Sequence, residues 1–145
     1  MIQRIQSIFY FLAAICFGGL FIFPFATSDI SIPKYLADLS YDVMDHAVLT
    51  GLAGLGTLLS VVAIFIFKKR DMQLRLGYFV IILSILIPLV AFLLLYNEKT
   101  AVNDANQIND SLGLYLPVLS LIFGVLANKF VKKDDRLVKS MDRLR

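Results

Sequence analysis

The chain has 145 residues, 59% of them hydrophobic and only 17% charged, with a formal net charge of +3. Soluble domains run nearer half apolar and about a quarter charged, so composition alone argues for a membrane protein. One Cys (Cys16) and one His (His46) exclude an intrachain disulfide and a multi-ligand His/Cys metal site within one copy.

Charged residues divide the chain into four uncharged runs, 5–28, 46–67 (His46 taken as neutral), 76–97 and 111–128, of 24, 22, 22 and 18 residues. At about 1.5 Å of rise per residue, each approaches or exceeds the roughly 30 Å of a hydrocarbon core. Lipid offers the backbone no partner but itself, so such runs are expected as helices. Trimming polar ends gives spans at 8–25, 47–67, 77–96 and 112–127, with a tail over 128–145. The expected fold is all-α: a single integral membrane domain over 1–145, built as a four-transmembrane-helix bundle.

The first span follows "MIQRIQ", whose Arg4 would suit a signal peptide, but its apolar stretch exceeds the roughly 7–15 residues of a cleaved h-region. "LAAIC" has Ile15 where a lipoprotein box needs a small residue, so the span is read as uncleaved. Next, 32–46 carries Tyr35, Leu36, Leu39 and Val43 at helical spacing, which predicts an amphipathic surface helix. That helix would align Asp38, Asp42 and Asp45 on one face beside His46, oxygen-rich ligands suited to Mg²⁺ or Ca²⁺. A solvated acidic face explains the same pattern and is the preferred reading.

The second span opens on "TGLAGLG". Gly51, Gly54 and Gly56 run G-x-x-G-x-G without a preceding strand, which does not make a phosphate loop. Small residues four apart, including Gly51, Gly56/Ser60, Ala14/Gly18 and Ser120/Gly124, instead let helices approach closely, with Gly54 nearby. The second helix is expected to be central, its contacts lying within one bundle or between copies. Pro88 and Pro117 are expected to interrupt the third and fourth spans. "NEKTAVNDANQIND" between those spans reads as a flexible turn.

No Asp, Glu, Lys or Arg falls inside a span, which argues against proton-coupled transport. Thr50, Thr57, Ser60, Ser84 and Ser120 are too few to line a wide pore, and such hydroxyls commonly bond backbone or a neighbouring helix. Twelve of the fourteen basic residues fall on the side shared by the N-terminus, the 68–75 loop and the tail, while seven of eleven acids fall opposite. That bias puts both termini in the cytoplasm, with Tyr78, Tyr96 and Tyr115 at the boundaries.

In the tail, Phe130, Leu137, Met141 and Leu144 recur at helical spacing. The triplet Asp-Arg-Leu repeats after seven residues, and Asp135 can pair with Lys139. A cytosolic amphipathic helix with a narrow apolar seam is expected. The opening "MIQRIQSIFYFLAA" and the ending "LANKFVKKDDRLVKSMDRLR" resemble a domain-of-unknown-function family of short bacterial integral membrane proteins with four predicted spans. The resemblance implies a bacterial cytoplasmic (inner) membrane and a full-length single domain; it implies no activity, cofactor or site.

The leading functional reading is a non-enzymatic scaffold or accessory subunit. Its contacts would be the bilayer, a cytosolic or membrane protein, or a second copy. A docking surface would combine Arg4, Lys68, Lys69, Arg70, Arg136, Leu137, Met141, Arg143 and Leu144. An oligomeric transporter or channel component, and a metal-dependent lipid or envelope enzyme using the Asp cluster, are the alternatives. Membrane orientation accounts for the basic charge, and nothing further suggests nucleic acid.

Overall fold

The computed structural model describes residues 5–28, 39–67, 69–99 and 108–142. Among them lie helices α1 (Ile5–Gly19), α2 (Ala47–Phe65), α3 (Arg70–Lys99) and α4 (Leu116–Asp142), and strands β1 (Ala26–Ser28), β2 (Ser40–Tyr41) and β3 (Ile108–Asp110). The helices close into a ring in which α1 and α3 each pack on both α2 and α4. Contrary to expectation, α2 is therefore not central; it is one of four comparable walls. One end gathers the start of α1, the α2–α3 connection and the second half of α4. At the other end the remaining connections meet.

Each inner face advances in steps of three and four, the spacing that keeps residues on one side of a helix. On α2 it reads Leu49, Ala53, Gly56, Ser60 and Ala63; on α4 it reads Pro117, Ser120, Gly124, Ala127 and Val131, all buried. Gly56 lies so close to α1 that an added Cβ would stand 2.7 Å from the Phe17 ring. Small residues permit this approach, with Phe17, Leu49 and Ile87 filling the space between helices, while other large apolar side chains point outward. Ile8, Phe11, Leu55, Leu58, Phe79, Ile82, Phe92, Val118 and Ile122 are all exposed. An apolar belt around every helix is untenable in water and suits lipid. Three helices, α2, α3 and α4, are long and apolar enough to cross a membrane; α1 is apolar but shorter.

Four expectations change. First, the first helix stops at Gly19, not Phe25. Gly18 and Gly19 lack side chains to hold the helix, and Pro24 cannot donate within it. The chain turns through Phe21 N–H to Gly18 O (3.2 Å) and Ile22 N–H to Gly19 O (3.0 Å). Second, Pro117 does not interrupt α4; it sits in the first turn, where a missing N–H costs nothing. Pro88 lies inside α3, which continues as one helix to Lys99.

Third, the fold is not purely α. β1 pairs antiparallel with β2 (Ala26 opposite Tyr41) and with β3 (Ala26 opposite Asp110). Phe25 N–H donates to Tyr41 O (2.8 Å), Ser111 N–H to Phe25 O (3.1 Å) and Gly113 N–H to Pro24 O (2.9 Å). Three strands from two connections, α1–α2 and α3–α4, thus satisfy one another's backbone and seal that end, with Phe25, Tyr41 and Val43 buried beneath. Fourth, the predicted surface helix over 32–46 is not found where the chain is described. Residues 40–41 are strand and Val43–Asp45 is a short 3₁₀ turn. The connection read as a flexible turn likewise contributes the last turns of α3 and all of β3.

A Cβ on Gly113 would run into the backbone carbonyls of Phe23 and Pro24, which cannot give way as a side-chain tip can. Gly51, also helical but with nothing within 4 Å, is the matched control. Gly113→Ala should lower unfolding stability in detergent by about 1–3 kcal/mol. Gly51→Ala should be neutral or gain up to about 1 kcal/mol. Equal melting temperatures for the two variants would contradict the backbone contact.

Candidate functional site at the α4 end of the bundle

Polar side chains buried between the helices are concentrated at one level. From α1, the Tyr10 hydroxyl lies 2.8 Å from Asn128 Oδ1 of α4 and 3.2 Å from the Gln73 carbonyl of α3, and its single proton serves one of them. Gln73 Nε2 donates to Ala63 O of α2 (2.9 Å), so all four helices meet through these groups. Gly77 makes the meeting possible: a Cβ there would occupy the space of Asn128 Oδ1 and the Tyr10 hydroxyl. Tyr10 and Gln73 are fully buried, and Asn128 is 4% exposed. Gln73 Oε1 and Asn128 Nδ2 have no partner among protein atoms.

Sequence analysis missed these residues. It searched for charges, and Tyr10, Gln73 and Asn128 are neutral. The available signal was phase: Gln73 and Gly77 are four apart, and Asn128 follows Gly124 by four on the same inward side.

Deeper in the bundle, Ser84 of α3 and Ser120 of α4 sit 2.7 Å apart. The Val80 and Pro117 carbonyls lie 2.8 Å from Ser84 Oγ and Ser120 Oγ respectively, and the two hydroxyl protons serve two of these three contacts. Ser60 donates to Gly56 O (2.8 Å) and Thr57 to Ala53 O (2.9 Å). These hydroxyls are thus engaged with backbone or a neighbouring helix.

Toward the end of the bundle, Phe9 stacks on Phe130 with centroids 5.3 Å apart. Arg70 Nε reaches Asp134 at 3.1 Å, each side chain 23% exposed. Lys132 lies over the Tyr78 ring, 5.3 Å from its centroid. Lys139 donates to Asp135 at 2.6 Å, and that hydrogen bond together with the carboxylate's charge holds the exposed ammonium above its ordinary pKa.

Among the expected docking residues, Lys69, Arg136 and Leu137 are exposed, and Arg70 is engaged with Asp134. Met141 lies within α4. Arg4, Lys68, Arg143 and Leu144 fall outside the described residues. Phe130, expected in the tail's free seam, belongs to the bundle through Phe9. The salt bridge joins the "KKRD" connection to the tail as one surface.

Of the expected packing residues, Gly56, Ser60 and Gly124 face neighbours, Gly124 toward Val80 and Ile81. A Cβ added at Gly18, Gly51 or Gly54 would meet nothing within 4 Å. Gly18 and Gly54 instead line an outward apolar groove with Phe21, Thr57 and Leu58.

The acidic cluster is at the opposite end, and its described members have local structural work. Asp45 Oδ2 accepts from Asp42 N–H at 2.6 Å, and Ser40 donates to Asp42 (3.3 Å). His46 caps α2 by accepting from Val48 N–H at 3.2 Å. Asp38 lies outside the described residues. No group of three potential metal ligands occurs among the described residues.

A bundle tied internally by neutral polar groups and ending in a cationic helix is what the matching family model spans. That model, Domain of unknown function (DUF4293), matches residues 2–144. The chain belongs to the DUF4293 family. No curated protein and no solved structure matches it. For a DUF4293 protein, membership covers nearly the whole chain and fixes no chemistry, so function must be argued from the surfaces.

Tyr10→Phe should cost about 1–3 kcal/mol, because Asn128 Oδ1 loses its donor in a buried place. Adding Asn128→Leu removes the orphaned acceptor, so the double variant should fall short of the summed losses by about 0.5–3 kcal/mol. Denaturant titration in micelles measures the cycle. Strictly additive losses would show that the two side chains do not share a bond.

Proposed function

We propose that this protein is a non-catalytic multi-pass component of the bacterial cytoplasmic membrane, crossing it four times with both termini inside. It acts as a scaffold or accessory subunit by presenting a helix fixed to the bundle. The observation that carries this reading is the continuity of α4 from Leu116 to Asp142. One rigid element joins the apolar belt to the cationic tail. Its second half is clamped to α1 and α3 through buried Val131, the Phe9–Phe130 stack and the Arg70–Asp134 pair. A tail serving only as a charged topology signal would need no such clamp.

Beyond Phe130 the apolar seam continues to Leu137, which is 51% exposed and lies on the same helical side seven residues on. That seam is the seat for a protein partner. The four-span orientation is supported by the charge bias and by the common end shared by the α1 start, the α2–α3 connection and the tail.

Two measurements test the proposal. In a Cys16→Ala background, a cysteine at Asp45 should react with an impermeant thiol reagent on intact cells. A cysteine at Arg136 should react only after permeabilisation, and the reverse pattern would overturn the orientation. In a separate experiment, Leu137→Asp should preserve folding and remove at least one protein recovered by in-cell crosslinking from the neighbouring exposed position Ser140. Identical crosslinked species with both chains would overturn the partner seat.

A further inference from the structure

Lys129, Lys133, Arg136 and Ser140 follow one another by four, three and four residues and are all exposed. They form one stripe on α4, pointing away from the bundle, since Ala127 and Val131 on the opposite side are fully buried. Followed backward, the same stripe reads Val125, Ile122 and Val118, each about half exposed. A single outward face is thus apolar for the first half of α4 and cationic from Lys129 onward.

Asp134 and Asp135, the acids within the reach of this stripe, do not interrupt it. They flank the bundle-facing side, where Arg70 and Lys139 engage them. Lys129, Lys132, Lys133, Arg136, Leu137 and Ser140 together border one open recess on the outer surface. Lys132, over Tyr78, marks its edge toward α3.

We infer that this stripe binds the phosphate groups of anionic phospholipids in the adjoining leaflet. The inference rests on the membrane reading proposed above. Continuity selects lipid as the occupant: acyl chains lying along Val118–Ile122–Val125 place their own headgroups beside Lys129, Lys133 and Arg136. Dimensions agree. From Lys129 to Arg136 the helix rises about 10 Å, against roughly 5–8 Å for the headgroup layer of one leaflet. Flexible lysine stems span the difference by snorkelling. Clusters of four or more basic residues just outside a membrane helix suit anionic headgroups, each cation adding about fivefold in affinity. Phosphate matches both the bidentate guanidinium and the ammonium donors.

Electron spin resonance on the full-length protein in mixed bilayers, with spin-labelled phosphatidylglycerol or phosphatidylcholine, reads this directly. Both labels should give a motionally restricted component, and phosphatidylglycerol should be selected several-fold. K133Q/R136Q should bring that selectivity down to near parity. K69Q/R75Q removes the same charge from exposed positions at the same end but off the stripe, and should leave the selectivity largely intact. Restriction without selectivity, or equal losses in both variants, would overturn the inference and leave the membrane reading standing. No restricted component for either lipid would overturn both.

Discussion

Four helices converge on one hydroxyl and two amides that bulk water does not reach. In that setting the Tyr10–Asn128 bond, with Gln73 reaching both Tyr10 and Ala63, sets helix register as well as contributing energy. Sliding α1, α3 or α4 by one residue would turn its side chain of the group away and strand the others. Buried polar groups left without partners are costly, whereas apolar faces against lipid tolerate many rotations. Gly77 follows from this constraint, because only its missing side chain leaves room for the bond. Gln73 Oε1 and Asn128 Nδ2, an acceptor and a donor without protein partners, show that the group is not saturated.

The opposite end is held by different means. There the polar groups needing partners are backbone, and two inter-helix connections supply them through a sheet of three very short strands. Such strands would not persist alone in water. They persist here because Phe25, Tyr41 and Val43 are buried against the bundle, and the Tyr41 hydroxyl reaches Ala91 O of α3 at 3.4 Å. Between a side-chain hub at one end and a backbone hub at the other, the core mixes small residues at close approaches with Phe17, Leu49 and Ile87.

Charge segmentation made α2 legible almost to the residue, and found the cores of α3 and α4, because a membrane span is defined by what it lacks. The same method overran α1, since Gly18, Gly19 and Pro24 carry no charge and look apolar while ending a helix. It also stopped α3 short of its charged end turns, whereas the apolar spacing of the tail did mark the charged end of α4 as helical. The sheet was illegible because strands of two or three residues have no periodicity, and their partners are distant in sequence. The polar hub was hidden by its neutrality. The basic residues of this end were readable as a class, yet charge alone could not separate Arg70, which is engaged with Asp134, from Arg136, which faces outward.

That separation bears on how the tail is held. The Arg70–Asp134 pair is partly exposed, and pairs of that kind contribute about 0–1 kcal/mol. Burying a valine completely contributes about 1.5–3 kcal/mol where the alternative is water. On the membrane reading Val131 lies beyond the hydrocarbon core, so the hydrophobic effect operates on it fully. It does not operate on Ala127 or Gly124, whose alternative is lipid. The two halves of α4 are therefore secured by different physics. Close packing and the Ser84–Ser120 contact hold the lipid half, and apolar burial of Val131 with the Phe9–Phe130 stack holds the aqueous half. The ion pair orients this junction more than it stabilises it. The outward cations take no part in holding the helix, which leaves them available to whatever lies against that face.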